Sequence, residues 1–172
     1  MTIGVVLGGT ATADAGTFRI VTYNIEADTG GFTAPRSGLY QVLEGIGEEL
    51  DSGIAQPVDV VALQETTSNS ATVAPIVSNL NAFYNGAAIY AQSPVQGTQN
   101  GGASSGNGPN AVVYNTKTLQ LVASIGIGTP QGSGNGEYRQ VMRYQFRPVG
   151  GTPANDFYVY VCHMKSSASG NL

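Results

Sequence analysis

The chain has 172 residues, enough for one domain with a sizeable core, and 41% of them are hydrophobic. Only 10% are charged, far below the roughly 25% of an average soluble domain, and a large share of Gly, Ser, Thr, Asn and Gln suits a β-rich protein with long polar loops. A net charge of -4 excludes a protein that holds nucleic acid mainly through its overall field, and a single cysteine, Cys162, excludes an internal disulfide and a Cys-based zinc site.

Residues 1–16 hold a short apolar piece, IGVVL, followed by Ala13-Asp14-Ala15, an A-x-A-like cleavage pattern without a basic segment before it. The end of a trimmed export signal and a plain leader both fit. The low-charge, Gly/Ser/Thr/Asn-rich composition favours a secreted or extracytoplasmic protein. No apolar run approaches the roughly 18 residues of a membrane-spanning helix.

Residues 17–172 form the remaining domain. Residues 17–24 (TFRIVTYN) read as a strand rich in β-branched and aromatic residues. Residues 35–50 read as a helix, with Leu39, Val42, Leu43, Ile46 and Leu50 on one apolar stripe and Pro35 near the start. Glu44, Glu48, Glu49 and Asp51 make a solvated face. The apolar run 60–63 (VVAL) then forms a second strand that ends on a carboxylate, Glu65. A buried strand that delivers an acid at its C-terminal end is a common way to present a catalytic or metal-binding group, because that edge opens into a crevice. A solvated Glu at an ordinary strand end fits the same eight residues, DVVALQET. Strand, helix, strand suggests a crossover if the two strands are parallel.

A second helix is predicted over residues 72–84, with Val73, Ile76, Val77, Leu80 and Phe83 on one side. Residues 87–92 read as a short strand, and 93–109 as a low-complexity loop, mobile or a functional lid. Residues 110–114 (NAVVY) and 119–127 read as strands, with Asn115 to Thr118 as a hairpin turn between them. Residues 129–137 are another Gly/Ser/Asn loop. Residues 138–147 alternate: Arg139, Val141, Arg143, Gln145 and Arg147 face one way, Tyr138, Gln140, Met142, Tyr144 and Phe146 the other. Residues 157–163 (FYVYVCH) are the last strand, with Phe157, Val159, Val161 and His163 on one face. Asn24, Glu65, Arg139 and His163 thus stand at strand ends, where they would share a rim if the strands pack together.

IVTYNIEA, DVVALQET, YRQVMRYQF and VYVCHMKSS, in that order, resemble the successive N-terminal motifs of the endonuclease/exonuclease/phosphatase superfamily. The resemblance covers residues 18–167. It implies an α/β (α+β) fold, a β-sandwich flanked by helices of the deoxyribonuclease I-like kind, incomplete at the C-terminus. It also implies divalent-metal-dependent phosphodiester hydrolysis on nucleic acid. A sphingomyelinase- or phosphatase-like hydrolase, and a non-catalytic binding module that kept the fold, are the alternatives.

On the same resemblance, Glu65 matches a glutamate that ligates the cation, with Mg2+ expected and Mn2+ or Ca2+ as alternatives; Mg2+ is a hard ion satisfied by one or two carboxylates with waters and substrate phosphate. Asn24 matches an asparagine beside the metal, where its amide bonds a carboxylate ligand or the phosphate, although an Asn that ends a strand also suits a turn. Arg139, seven residues before Phe146, matches an arginine that contacts substrate phosphate, where a planar guanidinium binds two oxygens. Arg143 and Arg147 fit solvated strand positions as well. His163 matches a histidine that binds the scissile phosphate or protonates the leaving group. Lys165 and Ser166 support the motif without a catalytic role. A further Asp and Asn motif, and a terminal Asp-His pair, have no counterpart here. The expectation is therefore an N-terminal portion that is inactive or nearly so alone, exposes an apolar sheet face, and is monomeric in its full-length form.

Overall fold

In the computed structural model, which describes residues 17–26, 34–50, 53–94, 109–128 and 140–163, the run before Glu65 is the strand on which the layers converge. This strand, β2 (Val60–Gln64), is buried along its whole length. It pairs in parallel with β1 (Ile20–Asn24) and antiparallel with β4 (Ala111–Asn115), whose other neighbour is the short β3 (Tyr90–Gln92). The parallel β1–β2 pair settles the open question of the sequence: helix α1 (Leu39–Glu48) is the crossover between them. A second sheet has the order β5 (Leu119–Ile127), β6 (Val141–Pro148), β7 (Phe157–Val161), all antiparallel.

The period-2 alternation of side chains splits β2 between two cores. Val61 and Leu63 join Leu39 and Leu43 of α1 and Ile76 and Leu80 of α2 (Ala74–Tyr84). Val60 and Ala62 join Met142, Tyr144, Phe146 and Val161 of the second sheet. The fold is therefore mixed α/β, with two helices on one face of the first sheet and the second sheet against the other. Each fully buried Val, Leu or Phe among these contributes about 1.5–3 kcal/mol.

Helix α1 is shorter than the predicted 35–50. Gly38 takes a left-handed conformation (φ 92°) immediately before it, and Glu49 is already extended. Its buried stripe is Leu39, Leu43 and Gly47, not the expected one: Val42 is 40% exposed and Leu50, beyond the helix end, 71%. The acids of the late turns, unfavourable for the helix dipole, are offset from a distance. The Arg19 guanidinium donates to the Ile46 carbonyl and, at 2.9 Å, to that of Glu49, with Ile54 O a third acceptor at 3.0 Å. The first two are end carbonyls that the helix itself leaves without partners.

Gly47 is where α1 meets α2. A Cβ there would overlap the Tyr84 hydroxyl oxygen, and Tyr84 is held by ring contacts to Phe83 and Tyr90. Gly47→Ala is expected to cost about 1–3 kcal/mol by overpacking, read by denaturant melts. Tyr84→Phe in the same chain should return part of it; an additive double variant would show that the two positions do not meet.

Helix α2 begins with a turn of π-helix, Asn69–Val73, capped by Ser68, whose hydroxyl accepts the Ala71 N–H at 2.9 Å. Val73, Ile76 and Leu80 are buried as expected, whereas Phe83 is 39% exposed. The segment Asn115 to Thr118 is a turn but not a hairpin, because β4 and β5 belong to different sheets. Asn115 Oδ1 accepts the Lys117 N–H at 3.1 Å, and the chain crosses from one sheet to the other. The crossing is tied to the first sheet by Asp59, 3% exposed, whose carboxylate accepts from Thr118 Oγ1 (2.5 Å), the Arg19 N–H (2.8 Å) and Gln56 Nε2 (3.2 Å).

On β6, Met142, Tyr144 and Phe146 are fully buried and Arg143, Gln145 and Arg147 face outward, the alternation read from the sequence. Arg147 is ion-paired with Asp156 at 2.6 Å, and the Arg143 guanidinium lies 5.2 Å over the Tyr158 ring. Both arginines therefore have structural work on that face, which also leaves Ile125, Ile127, Tyr158 and Tyr160 exposed.

Asp59 and Asp156 act in opposite directions with pH. Arg147 holds the Asp156 carboxyl below its ordinary value, so its contribution is present above the unfolded pKa of about 3.9 and is lost as pH falls through the lower folded value. Burial pushes Asp59 up, so its ionisation weakens the fold as pH rises from the unfolded value through the folded one. Asp156→Asn is expected to lower the melting temperature at pH 7 and to leave it unchanged at pH values where Asp156 is protonated in both states; a pH-independent loss would assign the effect to packing.

Candidate active site

The C-terminal ends of β1 and β2 are side by side, with Asn24 opposite Gln64 in the register. β7 packs across β2 from the second sheet, and Val161 shares a core with Val60 and Ala62. This layering brings Glu65, one residue past β2, to His163, two residues past β7. His163 Nε2 lies 3.1 Å from Glu65 Oε1, with the two side chains only 12% and 14% exposed. At that distance the ring N–H donates to the carboxylate, which orients the imidazole.

Glu65 has φ 56°, the left-handed region. A non-Gly residue there costs about 1–2 kcal/mol, so the carboxylate sits at a position where local backbone energy favours glycine. Glu26 and Asn85 share this conformation elsewhere, at 48° and 42°, so strain alone does not mark a site; at Glu65 it coincides with a largely buried acid–imidazole pair.

Asn24 is exposed, and its Oδ1 accepts the Glu26 N–H at 3.1 Å, the turn that ends β1. It is thus on the same rim as Glu65, and the bond the structure gives it is a local one. Arg139, Lys165 and Ser166 lie outside the described residues, as do most of the 93–109 loop and the 129–137 loop.

Three polar side chains at this edge escaped the sequence reading. Gln64, 8% exposed, donates from Nε2 to Thr22 Oγ1 at 2.9 Å. Thr66 is fully buried, and both its N–H (3.2 Å) and its hydroxyl (2.7 Å) donate to the Pro109 carbonyl. Asn110, 1% exposed, donates from Nδ2 to Val161 O at 3.1 Å and Gln140 O at 3.2 Å. Asn110 follows a run of Gly, Ser and Asn that reads as loop, so only its place immediately before AVVY distinguished it.

By residue type, Glu65 could offer a hard cation carboxylate oxygens and Asn24 an amide oxygen, the ligand types Mg2+ takes alongside water, although Asn24 Oδ1 already accepts the Glu26 N–H. Among the described residues no group of three or more His, Cys, Asp and Glu side chains converges to hold a metal. No helix among them is long and apolar enough to cross a membrane.

No family model and no curated protein matches this sequence. Among solved structures, the chain is similar to an endonuclease/exonuclease/phosphatase family protein from Bacteroides thetaiotaomicron, at 13% identity and a TM-score of 0.38. The match covers 70% of this chain and 40% of that one, so the chain spans about two fifths of that protein's length. The geometry of the Glu65–His163 pair, rather than this likeness, supports the reading that follows.

Proposed function

We propose that this chain carries part of the active site of a divalent-metal-dependent phosphodiester hydrolase, with nucleic acid as the first substrate to test. The observation that carries this reading is the acid–imidazole pair, Glu65 and His163, largely buried at adjoining strand ends. Glu65, with Asn24 beside it, would hold the cation; Mg2+, or Mn2+ or Ca2+ in its place, supplies polarisation of the phosphoryl oxygen and charge neutralisation there when bound.

The residues of the chain do the remaining work. Glu65 fixes the orientation of the His163 ring through Oε1 and has a second carboxylate oxygen to offer a cation. His163 donates a proton at the leaving oxygen or hydrogen-bonds the scissile phosphate, tasks suited to an imidazole. Arg139 would add a bidentate contact to phosphate. Arg143 and Arg147 are committed to Tyr158 and Asp156, which leaves Arg139 as the candidate among these three arginines. His163 is the only histidine in the chain, so it cannot both protonate the leaving group and activate water. Low turnover by the 172-residue chain alone is the expected result.

Binding can be tested without turnover. Mn2+ titrated into the labelled chain is expected to broaden the NMR signals of Glu65 and Asn24 before all others, and Glu65→Gln to weaken the apparent affinity by about 10–100-fold. Broadening that starts instead at Glu44, Glu48 and Glu49 would mean a surface ion only, and the reading would fall. Chelator-sensitive hydrolysis, measured over double-stranded DNA, RNA, sphingomyelin and phosphomonoesters, then assigns the substrate.

A further inference from the structure

The Pro109–Asn110 dipeptide touches both halves of the site. On one side its Pro109 carbonyl accepts two hydrogen bonds from Thr66, the residue after Glu65. On the other, Asn110 Nδ2 donates to the carbonyl of Val161, two residues before His163, and to that of Gln140 at the start of β6. Asn110 shares a face of β4 with Val112 and Tyr114, whose side chains lie in or against the core between the sheets. Its amide therefore spans from the first sheet to the second at the end where the pair stands. A buried side-chain amide costs free energy unless it is bonded, and here both bonds go to main-chain carbonyls of the opposite sheet. Its Oδ1, also buried, has no hydrogen-bond partner among the described residues. An apolar residue of that size would leave the Val161 and Gln140 carbonyls without this donor.

We propose that Asn110 is a positioning residue: with Pro109 it sets the spacing between the strand ends of β2 and β7, and so holds His163 against Glu65. This rests on the reading of that pair as the catalytic centre. Asn110 touches neither substrate nor metal in this scheme. It acts through Val161, by fixing where β7 ends.

The chain's single histidine makes the test direct. Carbethoxylation of His163 by diethyl pyrocarbonate, followed by absorbance at fixed pH, reads how often the imidazole leaves the carboxylate. Asn110→Ala is expected to raise the modification rate roughly tenfold, the scale on which losing a buried hydrogen bond shifts a local opening equilibrium. Val112→Ala, a cavity in the same strand and face, should lower the melting temperature and leave that rate unchanged. Equal rates in wild type and Asn110→Ala would overturn the proposal, as would equal increases in both variants, which would mean general loosening. If Asn110→Ala does not fold, Asn110→Ser is read in the same way. In the wild type the Asn110 side-chain amide protons should exchange slowly with deuterium, and exchange at the solvent rate also overturns the proposal. None of these readouts uses turnover, so absence of metal binding at Glu65 would remove the hydrolase reading and leave this result standing.

Discussion

Replacing His163 by Gln is expected to lower metal-dependent phosphodiester hydrolysis by about 10²–10⁴-fold, the range that positioned proton transfer supplies. The assay is turnover of bis(p-nitrophenyl) phosphate by the natural protein that carries this chain. Glutamine keeps a side chain that can donate to Glu65 Oε1, so a lesser loss separates the orienting contact from proton transfer. A pH–rate profile that keeps its shape in the variant, with a rate within tenfold of wild type, would falsify the role given to His163. Residues that act as a unit are strongly non-additive, so Glu65→Gln added to His163→Gln should cost little more than the larger single effect.

Glu65→Gly should separate function from stability. The backbone there has φ 56°, which glycine adopts without the penalty of about 1–2 kcal/mol that an L-residue meets. Glycine's greater freedom in the unfolded chain returns roughly 0.5–1 kcal/mol of that. The expected outcome is a melting free energy equal to wild type or up to about 1 kcal/mol higher, with hydrolysis reduced by about 10²-fold or more. That outcome would mean a site held in a costly conformation by its surroundings for a chemical reason. A loss of more than about 2 kcal/mol would instead make the Glu65–His163 pair a structural one.

Much of the fold was legible because it is written in local pattern. β5 spans the residues that its β-rich run proposed, 119–127. The alternation along β6 identified Met142, Tyr144 and Phe146 as one face, and all three are fully buried. Helix α1 was found but its stripe was misplaced, because helical spacing fits Val42 and Leu50 as well as Leu39 and Leu43. What decides between them is a small residue, Gly47, against which Tyr84 packs. The β4–β5 turn shows the same limit: Asn115 to Thr118 makes the same local turn whether the chain returns along its own sheet or crosses to the facing one.

The sequence by itself determined which residue types stand at strand ends, and so picked out Asn24, Glu65 and His163 as polar groups that close apolar runs. Period-2 and period-3.6 patterns record burial, and burial is a property of each segment. Whether those ends meet was decided only by the tertiary structure. Parallel pairing of β1 with β2 puts Asn24 next to Gln64, and β7 laid across β2 carries His163 to 3.1 Å from Glu65. The buried amide that reaches the second sheet at that edge, Asn110, was legible only as the first residue of a strand, because an asparagine that starts a strand and one that bonds to a facing sheet differ only in what lies opposite. Hydrogen bonds to main-chain carbonyls leave no mark on the partner's residue type, and that is why this part of the site had to await the fold.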